Sequence, residues 1–501
     1  MRSFMLFTTN IIFHLRRTVK RWIMDTMSTH PKATKIVATI GPATESETVI
    51  EQLIHAGMNV ARFNTKHGTP EWHRERILRV KSVASRLDVP IAILIDLQGP
   101  EIRIQTPGEQ PIEIQENERV TFATTQHTAE KTIIIPQAVI DAEVEGNTLI
   151  IDDGLGEFVI VGKNADSLIA EAKNACSIGH RKSLNTPGVV INMPPLVEQD
   201  YMHLDAATND LVEYVGLSFV RNAQDVHNLR EELNKRNLMA NIVAKIENQS
   251  ALDHLNEIVL ATDVVMIARG DLGVEVAFEE LIHWQKTIIK LCLEQAKPVI
   301  TATQMLKSMV NFPYPSRAEV SDVANAVYDG TDAVMLSEET TIGKYPVKAV
   351  AAQAKIVAYN EQFAKPNTIE PPDIDASQWL THAVSLLLKT SGDPSKSLVI
   401  DRVVCFSETG TTAKQLARFR RIRRIDVVTD SQLTYHQLSL VYGIQPWIIS
   451  LENENLSDTQ GVVAQLATHG IAKSGEVVLL IHGSHWKQPN MTNVLKIVSI
   501  P

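Results

Sequence analysis

Residues 240–271 of this 501-residue chain, ANIVAKIENQSALDHLNEIVLATDVVMIARGD, decide the fold. Two apolar, β-branched runs, 240–247 and 263–271, flank a segment predicted as helical. Each run is apolar over most of its length, as expected for a strand that is buried on both faces between helices. The stretch therefore predicts a strand–helix–strand unit of an α/β protein.

The same unit recurs along the chain and predicts a closed barrel. Eight apolar runs occur, and all but the third are followed by a helical pattern. Besides the two above, they are KIVATIG at 35–41, NVARFN at 59–64, IAILIDL at 91–97, VEYVGLSFV at 212–220, KPVITATQML at 297–306 and DAVMLSEE at 332–339. Eight units close a parallel (β/α)8 barrel. An open, doubly wound sheet is the alternative.

Two further regions depart from this repeat. After the third run the chain alternates short strands and turns with almost no helical period, which predicts an inserted β-rich domain. Prolines in the segment 365–375 mark a linker to a separate α/β domain. The expected domains are a barrel at 27–103 and 191–364, a β-rich insertion at 104–190 and an α/β C-terminal domain at 365–501.

The composition excludes several classes of protein. Hydrophobic residues make up 44% and charged residues 21%, the balance of a globular protein. A net charge of −10 argues against a general nucleic-acid-binding surface. No stretch is long and apolar enough to cross a membrane. Three cysteines without CxxC spacing indicate a reduced, cytoplasmic protein: Cys176, Cys292 and Cys405.

Residues 1–26 stand apart from the rest and are predicted to be a disordered extension. Their first 24 positions contain basic residues and no acidic one. That bias is also typical of a transit peptide. An upstream extension before a start at Met24 or Met27 is the preferred interpretation.

Polar residues cluster where the barrel strands should end, which is where barrel enzymes place their active sites. They are Arg62, Asn64, Lys66, Asp96, Ser218, Arg221, Lys245, Glu247, Arg269, Gly270, Asp271, Thr303 and Ser337. Glu247 and Asp271, from neighbouring strands, predict a site for Mg²⁺ or Mn²⁺. Two solvated surface acids are the alternative. Lys245 and Arg62 beside them would form a cationic clamp suited to phosphoryl transfer.

Several runs between residues 33 and 362 resemble the pyruvate kinase family. They are ATIGPAT at 38–44, GPEIR at 99–103, KIENQSALDHLNEIV at 245–259, IARGDLGVEV at 267–276, KPVITATQMLKSM at 297–309 and SRAEVSDVANAVYDGTDAVMLSEET at 316–340. The resemblance implies a (β/α)8 barrel, an inserted small β-barrel domain that closes as a lid, and a C-terminal α/β domain for regulation and assembly, commonly in homotetramers. It also implies phosphoryl transfer from phosphoenolpyruvate to ADP, giving pyruvate and ATP.

The resemblance also implies roles for individual residues. Glu247 and Asp271 match the divalent-metal ligands, and Lys245 matches the lysine that neutralises the phosphoryl group and the enolate oxygen. Thr303 matches a residue that relays a proton through water to the enolate carbon. The substrate-binding positions are Ser218, Ala268, Arg269, Gly270, Asp271 and Thr303. The nucleotide-side positions are Arg62, Arg103, His67 and Pro42.

Lys66 departs from the family pattern. The family has a serine there, which helps to hold an activating potassium ion together with an asparagine and an aspartate. Asn64 and Asp96 remain at those two positions. An ammonium group has nearly the size and charge of potassium. Lys66 is therefore predicted to be a built-in monovalent cation, paired with Asp96, so that activity does not require potassium. A lysine turned out to solvent is the alternative.

Other departures lie near the site and in the C-terminal domain. Gln199 replaces a nucleotide-contacting lysine, and Glu338 replaces a glycine. The run SETGTT at 407–412 resembles the family's phosphate loop for a sugar-phosphate effector, with an ordinary helix N-cap as the alternative. Its predicted contacts are Ser407, Thr409, Gly410, Thr411 and Thr412, with Lys487 in the facing loop. The run RFRRIRR at 418–424 is predicted to be a solvated helix end.

Two other functions remain open. A different metal-dependent enzyme of phosphoenolpyruvate or pyruvate could use the same barrel. A catalytically impaired paralogue could instead act as a regulatory subunit, a reading that Lys66, Gln199 and Glu338 favour. The presence of Lys245 and both acidic residues favours an active kinase.

Overall fold

The structure is a computed structural model that describes residues 32–125, 131–367, 369, 376–391, 399–421, 424–450, 456, 458–483 and 492–501. The N-terminal segment predicted at 1–26 lies outside the described residues. So do Lys487, which was predicted to face the effector loop, and part of the predicted linker at 365–375.

A closed parallel barrel forms the centre of the molecule and confirms the predicted fold class. Its eight strands, called the first to eighth barrel strands below, are Lys35–Thr39, Val60–Asn64, Ala92–Asp96, Tyr214–Leu217, Asn241–Ile246, Val264–Ala268, Val299–Ala302 and Ala333–Leu336. The first strand pairs with the eighth as well as with the second, so no edge is left open. This closure rules out the doubly wound alternative.

Helices cover the outside of the barrel. They are Glu47–Ala56, Pro70–Leu87, Glu198–Ala206, Ala223–Lys235, Gln249–Asp253, Leu255–Ala261, Arg269–Glu275, Leu281–Glu294, Arg317–Asp329, Glu338–Thr341 and Pro346–Asn360, with a 3₁₀ turn at Lys307–Val310. Local sequence sets several of their ends. Ser316 and Glu319 form a capping box at the start of Arg317–Asp329, and Gly330 ends that helix in the left-handed conformation.

The insertion after the third barrel strand folds into two sheets with their own apolar core. A six-stranded sheet contains Arg119–Ala123, Thr132–Ile134, Thr148–Ile151, Gly156–Lys163, Ser167–Ala172 and Leu184–Asn185. A two-stranded sheet contains Ile112–Ile114 and Cys176–Ile178. A 3₁₀ turn at Pro107–Glu109 and a short helix at Gln137–Ala142 complete the segment. The sequence pattern did not predict that helix.

The C-terminal domain is a five-stranded sheet with helices. Its strands are Arg402–Phe406, Ile425–Thr429, Ile444–Ile448, Val477–Gly483 and Thr492–Ser499, and its helical segments are Ala376–Ser391, Thr411–Ala417, Gln432–Gln437, Leu438–Leu440 and Thr459–Thr468. The apolar runs at 403–409, 424–430, 445–451 and 475–483 predict the first four of these strands. The last strand, which pairs antiparallel with Val477–Gly483, was not predicted.

The C-terminal domain packs against the amino-terminal ends of the barrel strands. The Tyr214 hydroxyl donates to the Gln437 carbonyl over 2.5 Å, and the Lys35 ammonium donates to the Ile444 carbonyl over 2.7 Å. Arg420 forms a buried ion pair with Asp332. Arg418 is buried too, so the predicted solvated helix end is wrong for these two arginines. The insertion, and not the C-terminal domain, lies at the carboxyl ends of the strands, where the predicted site lies.

None of the helices within the described ranges is sufficiently long and apolar to span a membrane. The three cysteines are buried and form no disulfide.

Candidate active site

The predicted site residues converge at the carboxyl ends of the barrel strands. Arg62 and Asp96 lie near the ends of the second and third strands, which pair so that Arg62 sits beside Leu94 and Asn64 beside Asp96. Lys245 lies near the end of the fifth strand, and Glu247 follows it. Strand order alone therefore brings these residues to one end of the barrel.

Asp96 lies between two cations. Its side chain is 1% exposed; one carboxylate oxygen accepts from the Arg62 Nε over 2.7 Å, and the other lies 3.5 Å from the Lys245 ammonium. Burial by itself would raise the pKa of Asp96, but the charges of Lys245 and Arg62 outweigh it, and the net pKa is lowered. The Arg62 guanidinium also donates to the Thr39 hydroxyl, which fixes its direction.

Lys245 is the cation at the centre of the site. Its ammonium lies 2.8 Å from a Glu247 carboxylate oxygen and donates to the Ser218 hydroxyl over 2.7 Å. That hydroxyl donates in turn to the Leu97 carbonyl. Burial opposes the charged form, but Asp96, Glu247 and other nearby acids overcome it and raise the pKa of Lys245. The lysine is therefore a fixed, buried positive charge.

Glu247 and Asp271 are suited to hold a divalent cation. The Glu247 carboxylate accepts from the Phe219 backbone amide over 2.7 Å. Burial raises the pKa of Glu247, Lys245 opposes that effect, and the negative charge of Asp271 adds to it. The two carboxylates thus repel each other, and a divalent cation between them would relieve that repulsion. Across the described ranges, no cluster of three or more His, Cys, Asp or Glu side chains could hold a metal. Two protein carboxylates plus substrate oxygens fit a magnesium site.

Thr303 and Gly270 contact each other at the end of the sixth and seventh strands. The Gly270 amide donates to the Thr303 hydroxyl over 2.6 Å, and that hydroxyl donates to the Ala302 carbonyl over 2.7 Å. Thr303 has a positive φ of 68°, which few non-glycine residues adopt. Ala268 ends the sixth strand just before this loop. Such backbone strain is typical of functional sites.

Arg269 is bound by other groups of the protein. Its guanidinium contacts Asp322 at 2.7 Å and the carbonyls of Ala302 and Thr303. Arg269 therefore holds the loops of the sixth and seventh strands together. Any contact with substrate at this position would be left to backbone groups.

Lys66 lies inside the site, but its predicted pair with Asp96 is wrong. The ammonium lies 3.3 Å from a Glu101 carboxylate oxygen and 5.4 Å from the centre of the Phe219 ring, and the side chain is 19% exposed. Asp96 is paired instead with Arg62 and Lys245. Lys66 still acts on Asp96 at longer range and contributes to its lowered pKa. The Asn64 side chain accepts from the Lys66 amide rather than from its ammonium.

The predicted nucleotide-side residues other than Arg62 are more exposed. Arg103 donates to the Glu101 carboxylate and to the Arg181 carbonyl. His67 and Pro42 are exposed, and the His67 carbonyl accepts from the buried His73 ring over 2.7 Å. A cavity of about 100 Å³ lies nearby, where the barrel meets the insertion, and Glu101 and Asp271 are among the residues that line it.

Three residues of the site were missed in the sequence. Glu101 forms ion pairs with Lys66 and Arg103. Asp322 forms an ion pair with Arg269. The Phe219 amide donates to Glu247, and the Phe219 ring lies near the Lys66 ammonium. Glu101 lies in the quoted run GPEIR, so an acidic side chain at this position could be noted from the sequence. Its partner Arg103 lies in the same run, but its other partner, Lys66, comes from the loop after the second barrel strand, which no sequence periodicity connects to this run.

Glu338, which replaces the family glycine, forms an ion pair with Lys307. Both side chains are about half exposed, at 49% and 54%. The pair joins the loops after the seventh and eighth strands. Exposed pairs of this kind contribute little to stability.

The predicted effector loop is held by hydrogen bonds among its own hydroxyls. Ser407 accepts from the Gly410 amide over 3.1 Å, and the Thr409 and Thr411 hydroxyls lie 3.0 Å apart. The Thr412 hydroxyl contacts that of Thr492. No side chain caps the helix Thr411–Ala417.

Comparisons with known proteins agree with this geometry. The family model for the pyruvate kinase barrel domain matches residues 31–350, and that for the pyruvate kinase alpha/beta domain matches residues 391–498. Pyruvate kinases of Staphylococcus aureus strains MRSA252 and USA300 are each 37% identical over 475 residues, which cover 93% of this chain and 80% of theirs. The crystal structure of a pyruvate kinase from Cryptosporidium parvum superposes with a TM-score of 0.84 and 27% identity, covering 94% of this chain and 96% of that one. The predicted family, fold class and type of enzyme are thus confirmed, and this chain belongs to the pyruvate kinase family.

Proposed function

We propose that this protein transfers the phosphoryl group of phosphoenolpyruvate to ADP, giving pyruvate and ATP, as a pyruvate kinase of glycolysis. The observation that carries the proposal is the buried Lys245, with its ammonium 2.8 Å from Glu247 and 3.5 Å from Asp96. Fixed cations in a site with little water stabilise the charge of a migrating phosphoryl group.

In this reaction the bond between phosphorus and the enol oxygen breaks, a bond forms between phosphorus and a terminal oxygen of ADP, and the enolate carbon takes up a proton. Lys245 places its charge beside the phosphoryl group and the enolate oxygen. Arg62, directed by Asp96 and Thr39, binds phosphoryl oxygens. Glu247 and Asp271 would hold Mg²⁺ or Mn²⁺, which would supply further neutralisation of phosphate charge.

Thr303 is the residue to which we assign proton delivery, through water, to the enolate carbon. Its hydroxyl already bridges the Gly270 amide and the Ala302 carbonyl, which fixes its position at the mouth of the barrel. Ser218, through its bond to Lys245, sets the direction of the ammonium group.

Potassium is not required in this proposal, because the tethered Lys66 ammonium, which lies against Glu101 in the site, supplies a monovalent charge. Two observations support this role. The Lys66 side chain is only 19% exposed, and its charge contributes to the lowered pKa of Asp96. A tethered ammonium needs no binding step, so its position is filled at any salt concentration.

A coupled assay for pyruvate, with phosphoenolpyruvate, ADP and Mg²⁺, tests both proposals in sodium-only and potassium buffers of equal ionic strength. We expect turnover that needs both substrates and is equal in the two buffers. Lys66→Ser should lose activity in sodium and recover it in potassium. Lys307→Ser, which removes a 54% exposed lysine at the same end of the barrel, is the matched control.

Each of the other possible outcomes would support a different function for the protein or for Lys66. Pyruvate release that does not need ADP would favour another phosphoenolpyruvate or pyruvate enzyme. No turnover would favour the regulatory paralogue. Strong potassium activation of the wild-type protein would overturn the role of Lys66 and leave the kinase assignment intact.

We also propose a cytoplasmic homotetramer with the domain bounds predicted above. The strongly exposed aromatic residues Phe278, Phe312 and Tyr314, which are 88%, 65% and 78% exposed, support association of subunits through the barrel domain. Sedimentation of wild-type protein and of a Phe278→Ser variant would measure the assembly.

The loop 407–412 remains our proposed site for a sugar-phosphate effector, to be tested by titration of a sugar bisphosphate.

A further inference from the structure

Two buried histidines meet on the outside of the barrel. His73 belongs to the helix after the second barrel strand, and His203 belongs to the helix before the fourth. The two residues are 3% and 4% exposed, and their ring centres lie 5.3 Å apart. The Phe63 and Trp72 rings pack edge-on against His73, with ring centres at 5.9 Å and 4.9 Å. His73 is therefore enclosed by rings, where a charge would be poorly solvated.

Each of the two rings uses only one of its nitrogens. His73 Nε2 donates to the His67 carbonyl over 2.7 Å, and His203 Nδ1 donates to the Gln199 carbonyl over 2.9 Å. A carbonyl only accepts, so these two nitrogens carry the ring protons. The other nitrogens, His73 Nδ1 and His203 Nε2, are buried and have no hydrogen-bond partner among the described residues. This arrangement fits neutral rings, since protonation of either would bury a further N–H donor without an acceptor.

Protonation of His73 is unfavourable in this position. Burial lowers the pKa of His73 to about 4, with smaller contributions of the same sign from His203, Arg76 and His67, while the bond to the His67 carbonyl acts in the opposite direction. The Arg76 guanidinium lies 3.9 Å from the centre of the Trp72 ring. Outside its site, the His73 ring would titrate near pH ~6.5. Between these two pH values, proton uptake therefore favours a ring that has left its site.

Within the described ranges, no carboxylate forms an ion pair with His73 or His203. Asp200 lies one helical turn before His203, but its carboxylate accepts from three backbone amides. Glu71, on the helix of His73, is exposed. Arg76 is itself paired with two surface acids. A protonated His73 thus has no counter-charge beside it.

The His73 ring supports the turn that joins the second barrel strand to its helix. His67, whose carbonyl the ring binds, lies in this turn. Gly68 follows with a φ of 83°, and a Cβ atom there would lie 3.3 Å from His73 Nε2 and 3.1 Å from the Trp72 ring. The turn therefore packs closely on both rings. If the His73 ring left, the His67 carbonyl would lose its donor.

We propose that His73 is a positioning residue that holds the nucleotide-side turn 65–69 in place, and that acid releases this turn because the neighbouring His203 offers a protonated His73 no counter-charge. The release is a property of the fold. Its effect on ADP rests on the proposed kinase function, through the predicted nucleotide-side residue His67. Affinity for ADP should therefore fall as the pH falls.

Hydrogen exchange of the backbone amides at 65–69 measures the opening of the turn, after correction for the intrinsic exchange rate at each pH. Because the released ring takes up a proton near pH ~6.5, the opening constant of the wild type should rise about 30-fold from pH 7.5 to pH 5. His73→Gln retains an N–H donor for the His67 carbonyl and does not titrate, so it should show no such rise. A wild-type opening constant that is equal at the two pH values, or the same rise in His73→Gln, would overturn the proposal.

Two further variants test the part of His203 and the location of the effect. His203→Asp supplies a counter-charge, which should keep a protonated His73 in its site and remove most of the rise. A full rise in this variant would contradict the proposal. His436→Gln is the matched control, since burial also lowers the pKa of His436, in the C-terminal domain, to about 4. It should respond as the wild type does, and loss of the rise in it would show a global effect instead.

Turnover provides a second readout. The KM for ADP of the wild type should rise from pH 7.5 to pH 5 by a larger factor than that of His73→Gln, and His67, present in both, contributes equally to the two. His73→Leu, which lacks the donor, should raise the KM for ADP about 10-fold at pH 7.5 and leave the KM for phosphoenolpyruvate unchanged. Equal changes in both KM values would contradict the positioning role. The exchange measurement needs no turnover, so an inactive wild-type protein would refute the proposed kinase function while the opening constants still decide the role of His73.

Discussion

The guanidinium of Arg269 and the carboxylate of Asp322 form two parallel hydrogen bonds, each 2.7 Å long. The pair joins the end of the sixth barrel strand to the helix Arg317–Asp329. Because Arg269 also binds the carbonyls of Ala302 and Thr303, it fixes the loop that carries the proposed proton-relay hydroxyl. Arg269 therefore supports the loops of the proposed site, and its role in substrate binding stays a prediction.

We expect Asp322→Asn to lower both stability and activity. Arg269 is 7% exposed and would keep its charge without a charged partner, which costs about 3 kcal/mol of unfolding free energy. A small displacement of Thr303 should lower kcat/KM for phosphoenolpyruvate by about 10- to 100-fold. Urea unfolding and steady-state kinetics measure the two effects. Asp205→Asn, in an exposed pair with Arg236, is the control and should change neither. Unchanged kinetics in Asp322→Asn would refute the support role.

Lys245→Met should abolish most turnover while the protein still folds. The variant loses the charge nearest the phosphoryl group, and removal of one such group lowers kcat by about 100- to 1,000-fold. It also leaves Asp96 and Glu247 with less compensation, so its unfolding free energy should fall by about 3 kcal/mol. Lys35→Met, at the other end of the barrel, removes another buried lysine and should lower stability without lowering kcat. A Lys245→Met enzyme with near wild-type kcat would exclude the proposed mechanism.

Gly216 is constrained by its contact with Asp96. A Cβ atom at position 216 would lie 2.7 Å from the Asp96 carboxylate oxygen and 3.3 Å from its Cα. Gly216→Ala should therefore push Asp96 away from Lys245, with a loss of about 1–3 kcal/mol in stability and a lower kcat. Gly162→Ala, where the nearest atom would be at 3.7 Å, is the matched control. Calorimetry and kinetics on both variants test this, and equal behaviour of the two would contradict it.

The barrel was predictable from the sequence because its strands are continuous apolar runs that need burial on both faces. The helix Pro70–Leu87 could be predicted too, since a proline at its start and an apolar period mark it. The helix Gln137–Ala142 was missed because it is short and its start has no side-chain cap.

The convergence of Arg62, Lys245 and Glu247 could also be predicted, since strand ends meet at one end of any parallel barrel. The partner of Lys66 could not. Strand register places Asn64 beside Asp96, but Lys66 lies beyond the strand, in a turn whose geometry is not set by the sheet. Which of two nearby carboxylates it meets depends on competition: Asp96 was already paired with Arg62 and Lys245, and Glu101 was paired only with Arg103.

Glu213 should make stability depend on pH. This carboxyl group is 1% exposed, and burial raises its pKa to about 7 against the opposing effects of Lys81, at 2.5 Å, and of the Ile93 amide. In the unfolded chain a glutamate titrates near pH ~4.3. Between these values the native state holds a proton that the unfolded state has released. Stability therefore falls as pH rises from about 4.5 to about 7 and is constant above that range.

Glu213→Gln cannot release a proton, so this contribution should vanish. Relative to wild type, the variant should gain about 2 kcal/mol of unfolding free energy between pH 5 and pH 8, since one unit of pKa shift corresponds to about 1.4 kcal/mol. Urea unfolding at the two pH values measures the difference, and Glu51→Gln, which removes a surface carboxylate paired with Arg86, controls for a change of net charge. If the Glu213→Gln and wild-type stabilities change in parallel with pH, the Glu213 carboxyl is already ionised at pH 5, and its salt bridge to Lys81 outweighs the cost of burial.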